Sequence, residues 1–127
     1  MTTSFLQTRC TARIVLSRSP RRGYAISMKS IRNPENCATM TEVRAGVDAV
    51  DAALIKLIAE RFGYMRAAAR IKSERSLVRD EARKAEVIAN AAAAAEQLGL
   101  PARPIATLWE GLVEASIAYE LERFDER

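Results

Sequence analysis

Thr41 to Lys72 reads TEVRAGVDAVDAALIKLIAERFGYMRAAARIK, and the spacing of its apolar residues decides the fold. Val43, Val47, Val50, Leu54, Leu57, Tyr64 or Met65, and Ala68 recur along one helical face, so the stretch is a helix. Arg61 stands on that stripe where another apolar residue is expected, and Lys72 follows eleven residues later. At roughly 100° per residue that separation is about three turns, which places both cations on the buried side. An apolar stripe interrupted by cations points to an anionic ligand.

Outward from this stretch, the first helix is expected over about 41–74, with Thr41 as N-cap and Glu42 favouring its start. Asn33 to Met40 (NPENCATM) is a turn-rich approach with Pro34 as a breaker. Ser73 to Arg79 (SERSLVR) reads as a polar loop, after which Asp80 caps a second helix, EARKAEVIANAAAAAEQL, over about 80–98. Its alanine run forms helix readily and lets another helix come close. Gly99 ends that helix, and Pro101 and Pro104 keep it from continuing. A third helix, about 103–124, has Ile105, Leu108, Trp109, Leu112, Val113, Ile117 and Leu121 as its buried side. The fold class is therefore all-α, three helices without a strand.

The first helix would be about 45 Å long. A compact monomer of about 90 residues has a radius of gyration of only about 12 Å. Two shorter helices cannot cover so long an apolar stripe, and a second copy of the chain is the simplest cover. The expectation is an intertwined helical homodimer.

The net charge of +4 is unevenly spread. Residues 1–34 hold seven cations and no acid, leaving 13 cations against 16 acids in 35–127. The first 34 residues have the composition of a transit-type leader, or else precede a true start at Met28. They are excluded from the fold and expected to be poorly ordered. The domain proper, 35–127, is mildly acidic and lacks the basic stripe that a nucleic-acid partner needs. No apolar run is long enough to span a bilayer. A cytoplasmic location is expected, with an organelle left open by the leader. Cys10 and Cys37 are expected as free thiols, and with no His the usual zinc spacings are absent, so neither metal nor cofactor is expected.

The candidate site gathers cations near buried faces: Arg44, Arg61, Lys72 and Arg83. Arg44 lies about 25 Å up the helix from Arg61 and about 100° round it, so one helix cannot bring both to a small ligand. In an antiparallel dimer, Arg44 of one chain comes close to Arg61 and Lys72 of the other. Four cations around a cavity suit a small dicarboxylate, because guanidinium groups grip carboxylates bidentately. On the third helix, Ser116 and Glu120 stand four apart on one face.

The pattern VRAGVDAVDAALIKLIAERF, then AARIK, VRDEARK and SIAYE, resembles the all-helical chorismate mutase family over about residues 33–124. It is especially similar to the branch that includes isochorismate pyruvate lyases of salicylate formation, where an approach like NPENCATM also precedes the first helix. The resemblance implies a dimer of three-helix chains with two active sites, each completed by one arginine of the neighbour. By motif, Arg44 looks like that donated arginine, while Arg61 and Lys72 look like the cations that grip the carboxylates and the ether oxygen. Arg83 looks like the second-helix arginine, Asp80 falls at the loop contact, and Ser116 and Glu120 fall at the third-helix contacts.

Two departures stand out. Many mutases carry a glutamate for the ring hydroxyl where this chain has Lys84, and some have glutamine at the ether oxygen where it has Glu120. Glutamine donates a hydrogen bond at any pH, whereas Glu120 donates only when protonated, so activity is expected to fall as pH rises. The resemblance implies a chorismate mutase acting without a cofactor. The alternatives are an isochorismate pyruvate lyase and a non-catalytic helical dimer serving as regulatory partner of a shikimate-pathway enzyme.

Overall fold

The computed structural model describes residues 31–127. The leader expected over 1–34, and Cys10 within it, therefore lies outside the described residues except for 31–34. The described chain holds three α-helices, α1 (Met40–Ile71), α2 (Glu81–Gln97) and α3 (Ala102–Asp125). Short 3-10 turns occur at Pro34–Asn36 and Arg75–Leu77, and no strand occurs among the described residues. Contacts divide the chain into two compact units, one ending at Gly46 and one spanning Val47–Arg127.

In the first unit the residue that caps α1 is Thr39, not Thr41. Thr39 Oγ1 accepts from the Glu42 amide at 3.2 Å, while Glu42 Oε2 accepts from the amides of Thr39 (3.1 Å) and Ala38 (2.7 Å). This reciprocal box requires the acid to stand three positions after the cap, a spacing that Thr39 and Glu42 satisfy and Thr41 does not. Arg32 adds an ion pair to the same carboxylate at 2.9 Å. Cys37 is a free thiol.

In the second unit α1 stops at Ile71, three residues before the expected end at Glu74. The physical reason is a long-range cap: Arg127 Nη1 donates to the carbonyls of Ala69 (3.1 Å) and Lys72 (2.7 Å). Asp80 caps α2, its Oδ1 accepting from the Arg83 amide at 2.9 Å. Gly99, at φ +72°, closes α2. The Leu100 amide returns to Ala95 O at 2.8 Å and the Gly99 amide to Glu96 O at 3.0 Å, the two bonds of a Schellman motif. Pro104 falls inside the first turn of α3, as the expected start near Arg103 implies. It costs nothing there, because the first amides of a helix have no intrahelical acceptor.

The core of this unit is Val78, Val113 and Ile117, flanked by the partly buried Val87, Leu121 and Phe124. Of the residues expected on the buried side of α3, Leu108 is 63% exposed. Along α1, Val43, Val47, Val50, Leu54, Leu57 and Tyr64 are all exposed on the single chain.

Candidate active site

Within the second unit, the C-terminal half of α1, the turn after it, the start of α2 and the middle of α3 enclose a cavity of about 340 Å³. That lies at the lower end of the range for small-molecule sites, about 300–1,000 Å³. Met65, Ala68, Leu77, Val78, Val87, Val113 and Ile117 form its apolar walls. Its polar lining is Arg61, Lys72, Asp80, Arg83, Lys84, Ser116 and Glu120. Four cations against two carboxylates leave an excess of two positive charges.

Helical spacing brings Arg61 and Lys72 to one wall, and α3 answers each with a side chain. Arg61 Nη1 donates to Ser116 Oγ, which in turn donates to Leu112 O at 2.6 Å. Burial lowers the pKa of Arg61 from its ordinary value, since the guanidinium is taken from water without a carboxylate beside it. Lys72 Nζ lies 2.6 Å from Glu120 Oε1, and Glu120 is only 3% exposed. The approach is a close ion pair rather than a well-directed hydrogen bond. Lys72 Nζ also donates to Val78 O at 3.5 Å.

A second cluster ties Lys84, which lines the cavity, to α3. Lys84 Nζ meets Glu114 Oε1 at 2.6 Å and Glu110 Oε1 at 3.3 Å. Arg79 grips Glu114 with two parallel bonds, 3.0 and 2.9 Å. Arg79 and then Lys84 hold the Glu114 carboxyl down at about 2, and Glu114 first among its partners raises the pKa of Lys84. Arg83 lines the cavity but pairs with Glu86 at 2.6 Å, its side chain largely in solvent.

The single chain thus brings together Arg61, Lys72, Asp80, Arg83, Lys84, Ser116 and Glu120. Arg44, exposed on the first part of α1, belongs to the other unit. Sequence reasoning missed Glu110, Glu114 and Arg79. Glu110 and Glu114 stand four apart on α3, but nothing local marks their partners: Lys84 pairs with both, and Glu114 meets Lys84 and Arg79 across 30 and 35 residues.

Fold and cavity together define an all-helical domain with a small pocket whose lining carries more cations than carboxylates. The sequence profile of the family described as chorismate mutase type II matches residues 43–121, and the chain belongs to that family. It is also 25% identical over 92 residues to the isochorismate pyruvate lyase of Pseudomonas aeruginosa, covering 72% of this chain and 91% of that protein.

Proposed function

We propose that the protein is a chorismate mutase, converting chorismate to prephenate by an intramolecular rearrangement in which a C–O bond breaks as a C–C bond forms. The observation that carries this reading is the facing of Lys72 and Glu120 across 2.6 Å, at the wall of a cavity with two excess positive charges. Arg61 and Arg83 hold the two substrate carboxylates and fold the enolpyruvyl arm over the ring, so the reacting carbons start close together. Lys72 then stabilises the negative charge that develops on the ether oxygen, with Glu120 assisting by holding the ammonium beside it. The chain itself supplies no nucleophile to such a step, because the reaction is intramolecular.

The exposed α1 stripe supports the second part of the proposal, a homodimer in which each active site receives Arg44 from the neighbouring chain. Because these side chains are already about half covered, covering the rest of one such Val or Leu contributes about 1 kcal/mol.

A second reading, isochorismate pyruvate lyase, is favoured by the Pseudomonas aeruginosa relative. Elimination of pyruvate from isochorismate requires the same grip on two carboxylates and the same help at the ether oxygen. Incubating the purified protein separately with chorismate and isochorismate, and identifying the products, decides between them. Prephenate from chorismate is the expected outcome. Salicylate and pyruvate from isochorismate, with chorismate untouched, would establish the lyase instead.

A further inference from the structure

The carbonyls at the end of α1 are met by a side chain from the far end of α3. A helix leaves its last four carbonyls without intrahelical donors. Here Arg127 takes two of them, Ala69 O at 3.1 Å and Lys72 O at 2.7 Å. Its guanidinium carbon lies 3.8 Å from the centre of the Phe124 ring, an arrangement that fixes the guanidinium against the aromatic face. Three residues past Lys72, Arg75 forms a forked pair with Asp125 at 2.8 and 3.2 Å. The close of α3 therefore clasps the chain on both sides of Lys72.

Lys72 has a flexible stem, and where its ammonium arrives depends on where its main chain is held. Its Nζ must sit within reach of Glu120 on α3 and of Val78 O in the turn. Arg127 fastens the Lys72 carbonyl to the same helix that carries Glu120, so main chain and side chain of Lys72 are both referred to α3. Misplacement of a reacting group by about 1 Å can cost about 10²-fold in rate.

We propose that Arg127, stacked on Phe124, is a positioning residue for Lys72: it does not itself line the cavity, yet it sets the point from which the ammonium reaches the reacting oxygen. The inference rests on the role given above to Lys72, and two readouts keep the two apart. In the first, Arg127→Ala is compared with wild type on whichever substrate turns over, at a temperature where both are folded. A fall in kcat of about tenfold or more with KM within about threefold is expected. Arg127→Lys, which can still donate to the carbonyls, is expected to recover most of the loss. Arg123→Ala removes the 2.7 Å pair with Glu126 at the same helix end and is expected to keep wild-type kcat. Wild-type kcat in folded Arg127→Ala overturns the proposal, as does an equal loss in Arg123→Ala.

The second readout needs no turnover. The Lys72 Cε resonance in lysine-labelled protein, assigned by its loss in Lys72→Arg, is expected to move in Arg127→Ala. An unmoved resonance overturns the proposal even if the protein acts on neither substrate. Should Arg127→Ala fail to fold, Phe124→Leu keeps the apolar bulk while removing the ring, and the same kcat loss and resonance shift are expected. A Phe124→Leu protein unchanged in both respects overturns it.

Discussion

Lys72 and Glu120 are the residues on which catalysis and stability meet most directly. Lys72→Ala removes the donor to the developing charge, so kcat is expected to fall by about 10²–10³, or about 3 kcal/mol, in a steady-state assay. The same substitution leaves a carboxylate that is 3% exposed without its cation. Breaking a fully buried pair costs about 3–5 kcal/mol, and because Lys72 keeps 28% side-chain exposure the expected loss is about 2–3 kcal/mol. Adding Glu120→Gln should restore most of that stability in denaturant titrations without restoring kcat. A double variant no more stable than Lys72→Ala would mean that the stray charge was never the cause. Arg61 and Lys72 were legible in the sequence because they interrupt the apolar face of their helix, whereas Glu120 stood out by its place four residues from Ser116 and by the family pattern. Lys84 was noticed only as a departure from a family pattern. Its partner Glu114 carries no such mark, since an acid on an exposed helix flank looks like any other until α2 is laid beside α3.

At the scale of elements, the helix ends show what local sequence can and cannot specify. Gly99 is legible as a helix stop, and the structure gives it φ +72° with open space where a side chain would stand. Gly99→Ala is therefore expected to destabilise by about 1 kcal/mol through backbone strain alone, read from the denaturation midpoint at unchanged m-value. The stop of α1 was misplaced because its cap, Arg127, is 55 residues from Lys72. The α2–α3 pairing carries a pH signature through Glu114, whose carboxyl is held at about 2 by Arg79 and Lys84 against an ordinary 4.5. A carboxylate depressed on folding stabilises fully above its unfolded pKa, and the contribution is lost as pH falls from about 4.5 through about 2. Glu114→Gln should therefore melt below wild type at neutral pH, and the gap should close on acidification through that window. Because Glu114 is 40% exposed at the side chain, added salt should narrow the gap too. A gap that persists unchanged at the acid end would assign the effect to packing rather than charge.

At the scale of the whole molecule, the apolar stripe of α1 and the placement of Arg44 make one problem. Val47, Val50, Leu54 and Leu57 are each about half exposed on the single chain, and Arg44 heads the same helix. Sequence periodicity reveals such a stripe readily, but it reports only that the face is to be covered, not by what. A two-fold dimer answers both points, because an isologous interface that covers the stripe in one chain covers it in both and carries Arg44 across twice. The consequence is testable by complementation. Arg44→Ala and Lys72→Ala homodimers should each be nearly inactive, since every site lacks one of the two residues. Unfolded together and refolded as an equal mixture, half of the dimers are mixed. Each mixed dimer then holds one site with both residues intact and one with neither, so the mixture should recover about a quarter of wild-type activity. Mixing the folded homodimers should recover less, at a rate set by subunit exchange. Leu54→Glu, which places a charge on the stripe, should lower both the sedimenting mass and the recovered activity. If the refolded mixture is no more active than its parents while sedimentation still reports a dimer, Arg44 serves the fold and each chain builds its site alone.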